Sequence, residues 1–335
     1  MSNVETKPVE TECEHTPAPQ AGGRPVVEAL TAREVPLGGP RAMTVRRTIP
    51  QRQRSLIGAW CFADHYGPDE VAASGGMDVP PHPHTGLQTV SWLFAGEIEH
   101  RDSGGHHALV RPGEMNLMTG GHGICHSEVS TPGTRTLHGV QLWVALPAAA
   151  RDEPRAFQHH VPPPVRVEGA TVRVLLGTLL GQSSPVRTFT PLLGAEVVLE
   201  PGARLTVEVD PSFEHGVLAD TDGISLEGTA LARAELGFLG PGADRITLTN
   251  SGGTPGRLVL LGGTPFDEDI LMWWNFVGRS HEEIEQFRAE WQAGSDRFGR
   301  VEGYTGSVER LPAPELPHVR IRPRQNPPPP TAPTA

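Results

Sequence analysis

The central part of the chain alternates short apolar runs with glycine and proline. The runs are rich in β-branched residues, and turn-forming residues separate them, which is typical of β-strands. Two clusters of such runs, at about 55–147 and 171–264, predict an all-β protein with two barrels. The clearest predicted strands are Leu87–Phe94, Ala108–Val110, Met115–Met118, Leu137–Leu146, Val172–Leu176, Glu196–Leu199, Leu205–Val209, Leu236–Leu239, Arg245–Leu248 and Leu258–Leu261.

One segment near the end of this region has helical periodicity instead. Ser280 is a suitable N-cap, and Glu283 follows three residues later. Ile284, Phe287 and Trp291 then repeat with the spacing of one helix face. The sequence therefore predicts a short C-terminal helix that closes the second domain.

Composition shifts at both ends suggest where the domains begin and end. The N-terminal residues are polar, and the C-terminal residues are rich in proline, including Pro327–Pro330, which favours a solvated tail. We predict five regions: a disordered segment 1–25, an N-terminal domain 26–147, a linker 148–170, a C-terminal domain with its helix 171–295, and a proline-rich tail 296–335.

The charge balance argues against direct binding to nucleic acid. The 335 residues include 28 Lys and Arg against 39 Asp and Glu, a net charge of −11. Nucleic-acid binding rests on neutralising phosphates, which an acidic chain does poorly. Three cysteines form no disulfide framework, and no apolar stretch is long enough for a membrane span. We therefore expect a soluble cytoplasmic protein with no membrane or nucleic-acid partner.

Two pairs of ligand-type side chains give the strongest chemical signal. His82 and His84 flank Pro83, and His126 and Glu128 flank Ser127. Residues at i and i+2 of a strand point to the same face, so two neighbouring strands would present three imidazoles and one carboxylate to a single ion. Pro83 cannot donate to a sheet, which predicts a strand start or an irregular edge.

The donor set favours a transition metal over Ca²⁺ or Mg²⁺, with Fe(II), Mn(II), Ni(II), Cu(II) and Zn(II) all compatible. Other histidines are weaker candidates. The adjacent pairs His106-His107 and His159-His160 would point to opposite faces. We expect His100, His122 and His138 to lie beside the ligands or on the surface.

Several separated motifs together resemble the pirin family of the cupin superfamily, in its bacterial form. They are 82–90 (HPHTGLQTV), 111–114 (RPGE), 121–128 (GHGICHSE), 141–144 (QLWV) and 273–277 (WWNFV), followed by the predicted helix. The resemblance covers about residues 30 to 295. It implies a bicupin of two jelly-roll-like β-barrels, with iron held in the first by His82, His84, His126 and Glu128. It implies no metal in the second.

The chain departs from the family pattern close to these ligands. Gln88 stands where the pattern has Glu, Thr85 where it has Arg, and His122 where Arg is frequent. The resemblance implies that position 88 is not a ligand in this family, so the four-residue set is unaffected. Gln88 does remove one acid or base near the metal.

The resemblance implies two functions from different classes. The first is a metal-dependent dioxygenase with quercetin (flavonol) dioxygenase-like activity, in which Glu128 is both ligand and base. The alternative is a non-enzymatic regulator whose binding to a transcription factor or metabolic enzyme responds to the iron redox state. A metal-dependent isomerase or binding cupin is a third reading, which tightly bound zinc would favour.

Overall fold

We analysed a computed structural model of the chain, which describes residues 26–37, 43–323 and 326–330. The first strands are β1 (Glu28–Leu30), β2 (Arg33–Leu37), β3 (Met43–Ile49), β4 (Trp60–Glu70), β5 (Asp78–His84), β6 (Leu87–Ala95), β7 (Ile98–Asp102), β8 (His107–Val110), β9 (Met115–Thr119), β10 (Ile124–Ser130), β11 (Thr136–Ala145) and β12 (Ala156–His160). Those that follow are β13 (Val165–Val167), β14 (Ala170–Leu176), β15 (Thr178–Leu179), β16 (Gln182–Ser183), β17 (Leu192–Leu199), β18 (Arg204–Glu208), β19 (Glu214–Ala219), β20 (Ile224–Leu226), β21 (Thr229–Leu231), β22 (Leu236–Leu239), β23 (Arg245–Asn250), β24 (Gly256–Gly263), β25 (Leu271–Trp273) and β26 (Phe276–Gly278). The helices are α1 (Val71–Ser74) and α2 (His281–Ala293).

The first barrel consists of two antiparallel sheets. A seven-stranded sheet has the order β12-β9-β6-β11-β4-β3-β2, and a four-stranded sheet has the order β5-β10-β7-β8. Apolar side chains from both sheets, such as Tyr66 and Leu93 from one and Val79 and Ile98 from the other, form a common buried cluster. This is the jelly-roll-like barrel that the sequence predicts.

The second barrel repeats the same plan. Its seven-stranded sheet has the order β1-β22-β19-β24-β17-β14-β13, and its four-stranded sheet has the order β18-β23-β20-β21. The two sheets enclose a larger apolar cluster that includes Val197, Val217, Ile246 and Leu258. The predicted bicupin architecture is therefore confirmed.

The structure differs from the predicted domain limits at two places. Strand β1 belongs to the 26–147 segment by sequence but pairs with β22 of the second barrel, Ala29 opposite Gly237. The predicted linker contains β12, which pairs with β9, and β13, which pairs with β14. Both differences arise because sheet edges offer unpaired backbone groups to any nearby extended segment, whatever its place in the sequence.

The two seven-stranded sheets pack against each other. Trp60, Trp92 and Leu142 of the first sheet join Leu218 and Phe238 of the second in one buried cluster. The indole N–H of Trp60 also lies 3.1 Å from the carbonyl oxygens of both Leu193 and Gly262 in the second barrel. This apolar interface holds the barrels together as a unit.

The predicted helix is confirmed, and it closes one side of the protein. Ser280 Oγ accepts a hydrogen bond from the backbone N–H of Glu283 at 3.2 Å, and Ile284 and Trp291 are buried. They pack with aromatic residues of β25 and β26. Among the described residues, neither helix is long and apolar enough to cross a membrane.

The predicted solvated tail is wrong for the part that the structure describes. Ala313 and Ile321 are buried, and the Trp291 indole N–H donates to Leu311 O at 2.8 Å. Further on, Asn326 Oδ1 accepts hydrogen bonds from the backbone N–H groups of Ser55 and Leu56. Proline-rich backbone lacks donors, but its carbonyls and the few polar side chains between the prolines still find partners on the body. The predicted disorder of residues 1–25 falls outside the described residues.

Candidate metal centre

Strand β5 positions the first ligand pair. It lies at the edge of the four-stranded sheet, which tolerates the donor-free Pro80, Pro81 and Pro83. His82 and His84 are fully buried on this strand. The prediction that Pro83 marks an edge is confirmed.

Strand β10 positions the second pair beside it. His126 pairs directly with His82 across the two strands, and a register shift separates His126 from Glu128. His126 and Glu128 are both fully buried. The spacing argument predicted two neighbouring strands that each offer two side chains to one point. The structure brings ring nitrogens of His82, His84 and His126 together, and it groups Glu128 with His126 and His100.

The ring nitrogens converge in a way that suits a metal ion. His84 Nε2 and His126 Nε2 are 3.0 Å apart. One nitrogen of each of His82, His84 and His126 lies within 4.8 Å of one nitrogen of the other two. Two imidazole nitrogens that face each other at this distance can share a proton, or both can direct a lone pair at the same cation.

The hydrogen bonding of His82 distinguishes a shared proton from a shared cation. Its Nδ1 lies 2.8 Å from Pro80 O, so this nitrogen must carry the proton. In the neutral ring Nε2 is then a bare acceptor, and it is buried with no hydrogen-bond partner among the described residues. An unsatisfied buried acceptor is costly, and a bound cation would remove that cost. The three histidines therefore fit a transition-metal ion.

Burial keeps these histidines in the form that a metal needs. Burial lowers the pKa of His82 to about 3. Burial, with the neighbouring His82, holds the pKa of His84 well below its usual value, and the pKa of His126 is lowered in the same way. Neutral imidazoles can ligate without first losing a proton.

The carboxylate lies against a short polar network. Ser91 Oγ is 3.3 Å from Glu128 Oε1 and 2.9 Å from Gln141 Oε1. The single hydroxyl proton of Ser91 can serve only one of them. Gln141 Nε2 has no partner among the described residues, so exchanging the amide oxygen and nitrogen would let Gln141 donate to Ser91 and leave the Ser91 proton for Glu128.

Gln88, the departure from the family pattern, is fully buried. Its Nε2 donates to Thr119 Oγ1 at 3.0 Å, and its Oε1 has no hydrogen-bond partner in the described part of the chain. On the other side of the site, the Trp143 ring contacts His84 edge to face and stacks on Phe62. These rings fix the orientation of His84 by packing.

His100 is a site residue that the sequence placed only loosely. It is buried on β7 and lies directly opposite Glu128 of β10. Its ring, with His126 and Glu128, forms a second group of ligand-type atoms within 4.8 Å of one another. The signal that could have found it is the pair His100 and Asp102, a third i, i+2 pair on a strand.

A third group of ligand-type side chains, His65, His138 and Asp220, lies between the barrels. Its hydrogen bonds do not fit a bound metal ion. His65 Nε2 and His138 Nε2 both lie close to Asp220 Oδ1, at 2.7 and 2.5 Å. Arg46 NH2 is 2.9 Å from His65 Nδ1, and a guanidinium can only donate. His65 must therefore accept at Nδ1 and carry its proton on Nε2, where a metal ligand needs a lone pair.

The same residues link the two barrels by hydrogen bonding. Although burial acts in the opposite direction, the hydrogen bonds from His138 and His65 lower the pKa of Asp220. His138, which the sequence placed near the ligands or on the surface, lies in this interface. The neighbouring Asp64 pairs with Arg47 at 2.7 Å instead of with His65.

The thiols and His122 lie outside these groups. Burial raises the pKa of Cys125 to about 11 and that of Cys61 to about 12, so both thiols stay protonated and unreactive near neutral pH. His122 is exposed and lies near Asp152. Cys13 lies outside the described residues.

Comparison with known proteins gives a consistent assignment. The profile of the pirin family matches residues 42–144, and that of the pirin C-terminal cupin domain matches 194–299. A Pseudomonas aeruginosa protein, named provisionally as a quercetin 2,3-dioxygenase, is 45% identical over 87% of this chain and 91% of its own length. A pirin-like protein of Caulobacter vibrioides is 34% identical over 75% of this chain and 88% of its own. The crystal structure of quercetin 2,3-dioxygenase from Acinetobacter baumannii superposes with a TM-score of 0.83 at 37% identity, covering 88% of this chain and 97% of that one.

Proposed function

The chain belongs to the pirin family, and we propose that its first barrel binds one iron(II) ion and acts as a flavonol dioxygenase of the quercetin 2,3-dioxygenase type. The proposed ligands are three imidazoles and one carboxylate: His82, His84, His126 and Glu128. The observation that carries the proposal is the bare, buried Nε2 of His82 beside the facing Nε2 atoms of His84 and His126. The similarity to proteins named as quercetin 2,3-dioxygenases supports the substrate class.

When bound, the ion would supply Lewis acidity to a flavonol oxygen and bring dioxygen to the same place. The residues of the chain would do the rest. The three imidazoles would hold the ion, and Glu128 would accept the proton that the flavonol hydroxyl loses. Ser91 would orient the Glu128 carboxylate through their 3.3 Å contact.

The surroundings suit this chemistry because they exclude water. His82, His84, His126 and Glu128 are all fully buried, and Trp143 covers one side of His84. Electrostatic interactions strengthen in such an environment. Gln88 is too weak a base to share the proton with Glu128, so Glu128 is the single base of the proposed reaction.

The test is oxygen uptake and flavonol ring cleavage by the full-length protein loaded with Fe²⁺, using quercetin as the probe. We expect one molecule of dioxygen to be consumed for each flavonol molecule that is cleaved. Glu128→Gln should lower kcat/KM by at least about 100-fold, the scale of general-base catalysis. Glu285→Gln, an exposed carboxylate on α2, is the matched control and should leave the rate unchanged.

Inertness of the iron-loaded protein towards several flavonols would refute the dioxygenase. Retention of the metal in that case would leave the redox-sensitive regulator that the sequence offered as the alternative. Its test is a pull-down with the Fe(II) and Fe(III) forms, in which a partner retained by one form alone is the expected result. The cytoplasmic location and the protein partner remain predictions.

A further inference from the structure

The side of His126 that faces away from His84 contacts another buried imidazole. His126 Nδ1 lies 3.3 Å from His100 Nδ1. The other nitrogen of His100, Nε2, lies 3.3 Å from Asp102 Oδ2. A continuous chain of polar atoms thus runs from the candidate ligand through His100 to a carboxylate.

We propose that His100 and Asp102 are positioning residues that hold His126 in the tautomer and orientation required for metal binding. The proposal rests on the proposed metal site. It differs from the ligand assignment because neither residue would touch the metal.

The proton positions follow from the atoms that face each other. If His126 directs the lone pair of Nε2 at the metal, its proton must be on Nδ1, which then donates to His100. His100 accepts at Nδ1 and therefore carries its own proton on Nε2, which donates to Asp102. Each nitrogen in the chain has one role, and the direction of donation is the same throughout.

Asp102 is itself fixed on its far side. Its Oδ1 accepts hydrogen bonds from the backbone N–H groups of Gly104 at 2.7 Å and His106 at 3.1 Å. The other oxygen, Oδ2, lies 3.3 Å from His100 Nε2 and 3.1 Å from His106 Nδ1, so the His106 ring holds it from the far side. A carboxylate held in this way makes an imidazole chain more basic and restricts its rotation.

Sheet register and packing hold the chain in place. Strand β7 pairs with β10 so that His126 lies opposite Asp102 and Glu128 lies opposite His100. Directly opposite residues share one face of a sheet, so all four side chains point into the barrel. Phe157 packs on the His100 ring from β12, with ring centroids 5.0 Å apart.

The experiment measures cobalt(II) binding by the full-length protein, with a chelator as competitor and the visible spectrum of bound Co²⁺ as a second readout. Removing a group that supports a metal-bound histidine costs about 10–100-fold in metal affinity. We expect a loss of that size in His100→Ala, with one Co²⁺ still bound per chain and a shifted spectrum. His100→Asn keeps an acceptor near the position of Nδ1 and should recover most of the affinity.

Two further variants complete the set. Asp102→Asn keeps the oxygen that caps Gly104 and His106 but removes the charge, and should weaken binding by about 3–10-fold, less than His100→Ala. His107→Ala is the matched control, because His107 is exposed and pairs with Glu99 at 2.7 Å instead of with Asp102. It should bind Co²⁺ like the unmodified protein.

Each outcome decides the matter. Unchanged affinity and spectrum in His100→Ala would overturn the supporting role, whereas loss as complete as in His82→Ala would make His100 a ligand and overturn it too. If His100→Ala does not fold, the Co²⁺ affinity of Asp102→Asn is the deciding measurement. An unchanged affinity in Asp102→Asn would refute the proposed role of His100 and Asp102. Failure of the unmodified protein to bind Co²⁺ would overturn the proposed metal site and this inference with it, which distinguishes the two failures.

Discussion

The two barrels have the same pair of sheets but fill them with different side chains. In the first barrel, the four-stranded sheet turns a polar set inward: His82, His84, His100, His126 and Glu128. In the second barrel, the four-stranded sheet contributes an apolar set to the core: Leu205, Val207, Ile224, Leu226, Ile246 and Leu248. The strand orders correspond one to one, except that the outermost strand beside β9 is β12, which follows the first barrel, whereas the one beside β22 is β1, which precedes both.

This difference shows that the scaffold and the chemistry are separable. A fold tolerates many fillings, and function depends on the side chains of one site. Apolar filling stabilises the second barrel directly, at about 1.5–3 kcal/mol for each fully buried large side chain. The polar filling of the first barrel stabilises it only if each buried group has a partner, and the proposed metal ion would be that partner for His82.

The largest expected effect is on metal content, which should depend on a histidine of the first barrel and not on one of the second. We expect one metal ion per chain in the native protein, and almost none in His126→Ala, because that variant loses one of three converging imidazoles. His215→Ala is the control in the second barrel. His215 is also fully buried, its ring nitrogens have no hydrogen-bond partner among the described residues, and burial lowers its pKa to about 4.

Elemental analysis of the purified proteins checks this prediction. His215→Ala should retain one ion per chain. Stoichiometric metal in His126→Ala would refute the ligand assignment. Loss of metal from His215→Ala alone would place the ion in the second barrel and contradict the proposed site.

The next prediction concerns the free energy of unfolding, which a substitution in the second barrel should change without changing the metal content. Leu248 is fully buried in the second barrel, so Leu248→Ala should lower the free energy of unfolding by about 2–5 kcal/mol. The metal content per folded chain should not change. Urea unfolding measures the first quantity, and Val161→Ala, at an exposed position, should shift it by less than about 0.5 kcal/mol. A change in metal content would show that the two barrels are coupled.

The smallest effect tests the contact between the barrels. Glu214 of the second barrel is buried, and its Oε2 accepts a hydrogen bond from the backbone N–H of Gly58 at 2.7 Å. Burial raises the pKa of Glu214 from 4.5 to about 7. The folded state therefore holds more protons than the unfolded state between these values, and stability should fall as the pH rises from about 4.5 to about 7.

Glu214→Gln keeps an acceptor for Gly58 and removes the ionisation. It should flatten this part of the stability profile and be more stable than the unmodified protein at pH 8 by about 1–3 kcal/mol. Urea unfolding across the pH range measures this, with Glu285→Gln as the surface control. Parallel profiles for the two proteins would contradict the raised pKa.

Much of the fold was predictable because strand formation depends on local pattern. The run around Leu87–Phe94 and the capped helix after Ser280 both follow from spacing within a few residues. The predicted solvated tail failed for a different reason. Its composition indicates how the chain behaves alone, but Ile321 is buried by contacts with residues far away in the sequence.

The sequence by itself determined the four candidate ligands, because two residues apart on a strand means the same face. Only the tertiary structure decided that His100 and Asp102 stand behind His126, that His65 and Asp220 join the two barrels, and that β1 crosses to the second one. Spacing fixes which face a side chain takes, whereas register and long-range packing fix what it meets there. The first is local and readable from the chain, and the second depends on pairings between distant segments that no local pattern encodes.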